Sequence, residues 1–485
     1  MIHGFGFAGC IRNAVRAGAR MAFLAVAVVA VLSQSCADRH TPMESLVRLV
    51  PDDAVVVRTV NLSRLMTEAG CPTPVSGGKL LPDAAKVLSL MAEPDYRDAL
   101  VALLAAGNAV DFSRMVNYTT ADGRDMILLD VLDGKKVEEA LGNVSDTGRL
   151  EEDAEGVTFC NIGGVVAVVD DDGRHCILGP DLMTVLASGA KARNSHFGTL
   201  IGIDEFLERP YASNLAINCG NSMLSYLGGK SKWLCVSFNV TRQSVSVIGE
   251  VMDRDGKTDS IGANFDEINT DFLRYTPEGA SVVLAFGRFH GNVRGLSMLL
   301  GRFAPLYLSQ ADGTTSLYAM PVSGNPEAVR EQTPGSWAVE TMVHVPQDQI
   351  AVGLDQYMEK AGSRLEKISD TQWEYFTDTD NYYFGTYDGC LLFSSNREIS
   401  GNCNNGFTDD FTGKRAAIVV DIPTGSVLSK AWGLDYGLTF KVFVETMEWN
   451  ARISFNGTGM PALKALLNMP QLPDLHARYN RMAGL

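Results

Sequence analysis

From Val55 to Val60 every position except Arg58 carries a β-branched side chain, a pattern that predicts a buried strand. Asn61 follows as a helix cap. Leu62, Leu65, Met66 and Ala69 then fall at i, i+3, i+4 and i+7, one face of a helix that Gly70 ends. The same succession returns further on. Pro51, Ala54, Val56 and Val57 match Pro277, Ala280, Val282 and Val283, with Glu278 in place of Asp52, and Leu296, Leu299, Leu300 and Phe303 have helical spacing after Gly287. Downstream partners keep this order. A strand from Met126 to Leu132 and a polar-faced helix from Asp133 to Leu141 are matched by a strand from Ala338 to Val345 and a helix from Leu354 to Leu365. Strands near 157–160, 165–169 and 174–178 are joined by turns at Gly163-Gly164 and Asp171-Asp172-Gly173. Their counterparts lie in 374–395, where Asp388-Gly389 makes the turn and Cys390 stands near the place of Cys176. Finally 214–219, a helical stretch and 233–256 are echoed by 416–422 and 438–459. The pattern predicts an α+β fold of two tandem, duplicated units with mostly antiparallel sheets and packed helices, spanning 46–265 and 266–485. Two units are too few for a solenoid.

The first residues follow a different grammar. Arg12, Arg16 and Arg20 precede an uncharged run from Met21 to Leu32, and no acidic residue occurs before Asp38. That is the order of a secretory signal, and the run is shorter than the roughly 20 residues a spanning helix needs. Ser35-Cys36 places a small residue before a cysteine, as lipoprotein-maturing peptidases require, although Ser33 stands where the strict bacterial lipobox has leucine. The expectation is a signal peptide over 1–35, lipid attachment at Cys36 and a tether over 36–45; a plain cleaved signal with Cys36 incidental is the alternative. Ala37 replaces the aspartate of inner-membrane retention, which by resemblance to Gram-negative sorting rules points to the outer membrane. Acylation of this kind anchors a protein stably to the membrane.

A lipobox followed by the strand Pro51-Asp52-Asp53-Ala54-Val55-Val56-Val57, running into Asn61-Leu62-Ser63-Arg64-Leu65, resembles a family of uncharacterised lipoproteins from Gram-negative gut-type bacteria. The resemblance implies the envelope location and the two-unit fold across the mature chain. It transfers no catalytic residue.

Charge narrows the partners. The net charge is −16, and removal of 1–35 takes away three arginines and no acid. Such a surface repels phosphate backbones, so nucleic acid is not an expected partner. Of nine cysteines, Cys10 leaves with the signal and Cys36 takes the lipid, leaving Cys71, Cys160, Cys176, Cys219, Cys235, Cys390 and Cys403, with no CxxC spacing. Cys160, Cys176, Cys219 and Cys235 lie in apolar strand-like runs, where a free thiol serves as a small buried hydrophobe. An oxidising compartment makes Cys160–Cys176 and Cys219–Cys235 the candidate disulfides.

Local catalytic patterns all break. His3, His40, His175, His196, His290, His344 and His476 are scattered and make no HExxH. Gly228-Gly229-Lys230-Ser231 resembles the end of a phosphate loop, but Leu224 stands where its first glycine belongs. Ser188-Gly189-Ala190-Lys191 fits S-x-x-K without its supporting motifs, and Gly189 reads as the end of a helix from Asp181 to Ser188. Asp170-Asp171-Asp172-Gly173 reads as a hairpin turn, because a calcium loop would need ligands at Val168 and Gly179; Asp378, Asp380 and Asp388 invite the same reading. No catalytic residue, cofactor site or metal site is predicted. The expected function is a lipid-anchored cell-envelope protein, bound to the outer membrane through its lipid, that acts as a binding or structural module toward a protein or glycan. The alternative is an envelope- or glycan-directed hydrolase with a loop-assembled site.

Overall fold

Asn61 separates the strand Val56–Val60 (β1) from the helix Leu62–Glu68 (α1), and its side-chain oxygen accepts the Arg64 N–H at 3.0 Å. One open donor of the helix start is thereby satisfied. Gly70 follows the helix in the left-handed region at φ +79, where a side chain would be strained. The computed structural model describes residues 35–36, 46–76, 79–153, 156–170, 172–221, 231–290, 311–346, 365–376, 381–387, 389–395 and 408–469. The expected helices at 296–303 and 354–364, the phosphate-loop-like Gly228 to Lys230, Cys403, Asp378, Asp380, Asp388 and the signal residues before Ser35 lie outside them. Two compact units divide the described chain, 260–459 forming one and the remainder the other.

The first unit is an antiparallel sheet covered by helices. Its strands are β1, β2 (Val110–Thr119), β3 (Asp125–Val131), β4 (Glu151–Glu152), β5 (Thr158–Ile162), β6 (Val165–Val169), β7 (His175–Gly179), β8 (Tyr211–Asn218), β9 (Lys232–Val240) and β10 (Ser244–Asp253). Their spatial order is β10-β9-β8-β1-β2-β3-β7-β6-β5-β4. Its helices, after α1, are α2 (Pro82–Met91), α3 (Arg97–Ala105), α4 (Gly134–Val144), α5 (Leu182–Asn194) and α6 (Ile201–Leu207). Val57, Tyr118, Ala216 and Cys235 present one face of the sheet to Leu46, Val50, Phe197, Ile203 and Phe206, forming an apolar core. Strand side chains alternate, so Arg58 and Asn117 look the other way; both donate to last-turn carbonyls of α2, those of Leu90 and Met91. Ser35–Cys36 pairs with Ala212 and Tyr211 along β8.

The second unit is also an antiparallel sheet. It contains β11 (Val282–Phe286), β12 (Thr315–Pro321), β13 (Trp337–His344), β14 (Leu365–Lys367), β15 (Gln372–Phe376), β16 (Asn381–Tyr387), β17 (Cys390–Ser394), β18 (Ala416–Ile422), β19 (Gly437–Val444) and β20 (Trp449–Asn456). The spatial order is β20-β19-β18-β11-β12-β13-β17-β16-β15-β14. Short helices α7 (Pro326–Glu331), α8 (Thr408–Phe411) and α9 (Val427–Ala431) accompany it. Leu273, Val283, Ala285, Tyr318, Phe411 and Val419 form a core. The chain then returns to the first unit. Helix α10 (Ala462–Leu467) packs against α1, α2 and β10, burying Leu463 and Leu466. The Ala462 N–H donates to the Arg242 carbonyl at 2.9 Å, and Lys464 meets Asp83 at 2.9 Å. The fold is therefore mixed α+β with extensive antiparallel sheet.

Two expectations need correction. Gly189 does not end its helix: α5 runs from Asp181, whose side chain accepts the Thr184 N–H, through Gly189 to Asn194. A glycine inside a helix costs only about 1 kcal/mol, and the following alanines and lysine carry it on. The proposed disulfides are absent as well, all four thiols being free and buried. Cys160 pairs with Ala167 and Cys176 with Val169, so β6 stands between them. Two strand spacings amount to roughly 9.5 Å, beyond the ~7 Å Cα limit of a disulfide. Cys235 lies opposite Ala216, three residues short of Cys219.

Candidate functional site

An aspartate interrupts the apolar run of β3 at Asp130, and a histidine opens β7 at His175. Register sets them side by side: His175 is opposite Asp130, and Asp130 is opposite Asp111 on β2. Three polar residues thus cross three adjacent strands at one end of the first sheet. Asp170, at the hairpin between β6 and β7, completes the group. Its carboxylate accepts the Arg174 and His175 backbone N–H at 2.7 and 3.0 Å and meets His175 Nδ1 at 2.6 Å. On the other side of the ring, Nε2 lies 3.7 Å from Asp130 Oδ1. Asp130 is 4% exposed, and its Oδ2 is enclosed without a hydrogen-bond partner.

These contacts set the protonation states. The hydrogen bond to Asp170 raises the His175 ring above its ordinary value; burial opposes it, and the charges of Asp170 and Asp130 add to the rise. Burial pushes the Asp130 carboxyl up, with Arg114 and His175 pulling it part of the way back. For Asp170 burial acts upward, but the hydrogen bonds from His175 and Arg174 outweigh it and hold the group below its usual range.

Asp170 also borders an open cleft of about 690 Å³ beside the turn into α4. Asp133, Lys135, Glu138, Asp172 and the backbone at Gly173 line it, and Leu132, 60% exposed, forms part of its wall. Asp133 is held in place as the α4 cap, accepting the Lys136 N–H at 3.3 Å. The cleft is polar and carries an excess of carboxylates. Both nitrogens of His175 face carboxylates, and among the described residues no hydroxyl or thiol hydrogen-bonds the ring. The arrangement clamps a hairpin to the sheet; nothing in it prepares a nucleophile, which needs a base within hydrogen-bond reach.

The sequence candidates are dispersed. Ser188 is buried within α5, where its Oγ lies 2.7 Å from the Tyr118 hydroxyl, while Lys191 reaches away to Asp53 at 3.0 Å. They do not act on one another. Asp170 works as a hairpin turn residue. His290 and His344 each face one aspartate, Asp266 at 2.9 Å and Asp312 at 2.7 Å, and His196 bridges Pro51 through its backbone. Among the described residues no cluster of three or more His, Cys, Asp or Glu side chains could hold a metal ion. Of Cys36 only the backbone pairing is defined, and no described helix is long and apolar enough to cross a membrane. The Asp130–His175 contact was not foreseen. Its one local signal was a charged residue inside the apolar run Met126 to Val131.

No protein-family model and no curated protein matches the chain. Among solved structures, crystal form III of TP0453 is similar at a TM-score of 0.29 and 8% identity, over 43% of this chain and 80% of that one. Crystal form I of the same protein gives 0.27 and 10%, over 44% and 81%. Likenesses at this level carry no argument about fold or function.

Proposed function

We propose that this is a lipid-anchored cell-envelope protein that binds or supports a protein or glycan partner and has no catalytic centre. The observation that carries the binding reading is His175 held between two carboxylates beside an open polar cleft. A ring hydrogen-bonded to Asp170 and facing Asp130 at 3.7 Å orders the cleft wall. The acidic lining favours a partner surface with basic or hydroxyl-rich character over any polyanion. The outer-membrane address rests on the basic flank, the short apolar run and Ser35-Cys36; the resemblance to the lipoprotein family rests on Ser35-Cys36 together with the strand Pro51 to Val57 and the stretch Asn61 to Leu65.

We further infer that the two units arose by duplication. The pairings of β1 to β10 recur among β11 to β20, strand for strand. Val57 lies opposite Tyr118, and Val283 opposite Tyr318. The Pro51 carbonyl accepts the Ala54 N–H at 3.1 Å, and the Pro277 carbonyl accepts the Ala280 N–H at 3.0 Å, so the two prolines make matching turns.

The address and the activity are tested separately. A clickable fatty-acid analogue is expected to label the wild type in cells and to miss Cys36→Ala; labelling that survives the substitution overturns the anchor. For the function, cross-linking of the anchored protein in intact cells is expected to trap one partner whose capture falls when Asp133, Glu138 and Asp172 are changed to Asn or Gln. Hydrolysis of a peptide, ester or glycan by the purified protein, abolished by one folded carboxylate or histidine variant, would establish an enzyme instead.

A further inference from the structure

The two nitrogens of the His175 ring are bound differently. Nδ1 meets Asp170 Oδ2 at 2.6 Å, and an ionised carboxylate only accepts, so Nδ1 carries a proton and donates it. The other oxygen, Asp170 Oδ1, accepts the backbone N–H of Arg174 and of His175 at 2.7 and 3.0 Å. The Gly173 N–H donates to the Asp170 carbonyl at 2.8 Å and closes the same turn. With Nδ1 committed, uptake and release of a proton by the ring falls to Nε2. That atom faces Asp130 Oδ1 at 3.7 Å. Protonated, it presents a positive N–H to a carboxylate; deprotonated, it presents a lone pair to one.

The surroundings give that proton weight. Asp130 is buried and its Oδ2 receives no hydrogen bond, so its charge is answered by His175 and by Arg114 on β2, against the like charge of Asp111 opposite it. Asp170 and Asp130 favour the imidazolium, and Arg174, beside it in the chain, opposes it. The hairpin that carries Asp170 is also part of the cleft lining, through Asp170, Asp172 and Gly173, and Asp133, Gly134 and Glu138 at the start of α4 supply another part. The two elements touch, for a Cβ on Gly134 would lie 3.4 Å from the Gly173 carbonyl oxygen. Carboxylates on both of them border one space that holds Lys135 as its cation, so the hairpin and α4 repel each other unless the imidazolium offsets the charge.

We propose that a proton on His175 Nε2 locks the hairpin between β6 and β7, ordering the cleft wall while the ring is charged and releasing it when the ring is neutral. The sign follows from the two arrangements. In a released hairpin the ring loses both carboxylates and titrates near its ordinary value of about 6.5, whereas in the locked hairpin it titrates higher. The lock is therefore complete below about pH 6.5 and fades as pH rises through the higher value. A ligand that requires the ordered wall takes up a proton as it binds. The lock regulates the cleft and rests on the binding reading for its use. Its existence depends on neither a ligand nor Cys36.

Histidine Cε1 NMR and hydrogen exchange read by mass spectrometry test it on the full chain, with exchange corrected for its intrinsic pH dependence. The His175 signal, identified by its absence in His175→Gln, is expected to titrate above about 6.5. Protection of the peptide spanning Asp170 to His175 is expected to fall roughly threefold or more between pH 6 and pH 8.5 along the same curve, with β1 and β8 unchanged. In Asp130→Asn the side-chain amide can donate to the neutral Nε2, so protection is expected to persist at pH 8.5. A ring that titrates at or below its ordinary value, hairpin protection that stays level across the interval, or an Asp130→Asn hairpin that loosens as wild type does overturns the lock. If Asp130→Asn does not fold, a His175→Gln hairpin as protected at pH 6 as wild type overturns it equally. Partner capture separates the two readings. A hairpin that titrates while capture is indifferent to Asp133, Glu138 and Asp172 overturns the cleft as the binding site and leaves the lock; a hairpin that does not titrate while capture depends on them overturns the lock alone.

Discussion

Leu466→Ala is a change late in the chain whose effect is expected in strands far earlier in it. Leu466 is 1% exposed within α10, which packs on α1 and α2 of the first unit. Truncating a buried leucine removes its transfer energy and leaves a cavity, about 3 kcal/mol in total within a range of roughly 2–5. Since each ~1.4 kcal/mol is a factor of ten, backbone amides that exchange through opening of the whole first unit should exchange about a hundredfold faster. Hydrogen exchange read by mass spectrometry reports this peptide by peptide. Faster exchange is expected over β1 and β8, with β11 and β18 unchanged. Acceleration confined to the second unit, with β1 and β8 as protected as before, would refute the placement of α10 and the packing argument built on it.

Other predictions follow from buried contacts and from charge. Tyr118→Phe and Ser188→Ala each leave one partner of a buried 2.7 Å hydrogen bond unpaired, and each is expected to lower urea stability by about 1–3 kcal/mol. The double variant should lose less than the sum, and strict additivity would argue that the two hydroxyls are not coupled. His175, raised in the folded state, contributes stability that is full below the unfolded value of about 6.5 and is lost as pH rises through the higher folded value. Asp170, lowered in the folded state, contributes above its unfolded value of about 3.9 and loses that contribution as pH falls through the folded one. The advantage of wild type over His175→Gln should therefore shrink from pH 6 toward pH 8.5; an advantage that grows across that interval contradicts the clamp.

What the sequence disclosed and what it hid divide along one physical line. The start of the first unit was legible because its signals are local: a β-branched run, Asn61 as a cap, Gly70 in a left-handed turn, and apolar spacing in α1. The hairpins around Gly163-Gly164 and Gly173 were legible for the same reason, since glycine in a tight turn is a short-range requirement. The candidate site was not. Asp130 and His175 meet only because β3 and β7 pair in one register, and a shift of one residue would send His175 to the opposite face. Arg58 stood in plain view as the exception in a β-branched run, yet its surroundings come from two separate segments, Leu90 at the end of α2 and Asn117 on β2. The thiol pairs misled because spacing along the chain says nothing about a strand lying between two others. The helix through Gly189 misled because a glycine's meaning depends on whether its neighbours continue the turn.

The return of α10 also gives the molecule a direction in time. Residues 460–469 are synthesised after every strand of the second unit, yet they complete the first. Most multidomain chains finish their units in the order in which they are made. Here the second unit can close while the first still exposes the apolar seat of Leu463 and Leu466 between α1 and α2. During that interval the unfinished unit offers a groove shaped for an amphipathic helix, open to a chaperone or to the α10 of another nascent copy. A stop codon late in the message would thus wound the earliest part of the protein, and a cut in the link after Asp259 would leave the first unit holding its last helix by non-covalent contacts alone: the buried leucines, the Ala462–Arg242 hydrogen bond and the Lys464–Asp83 pair.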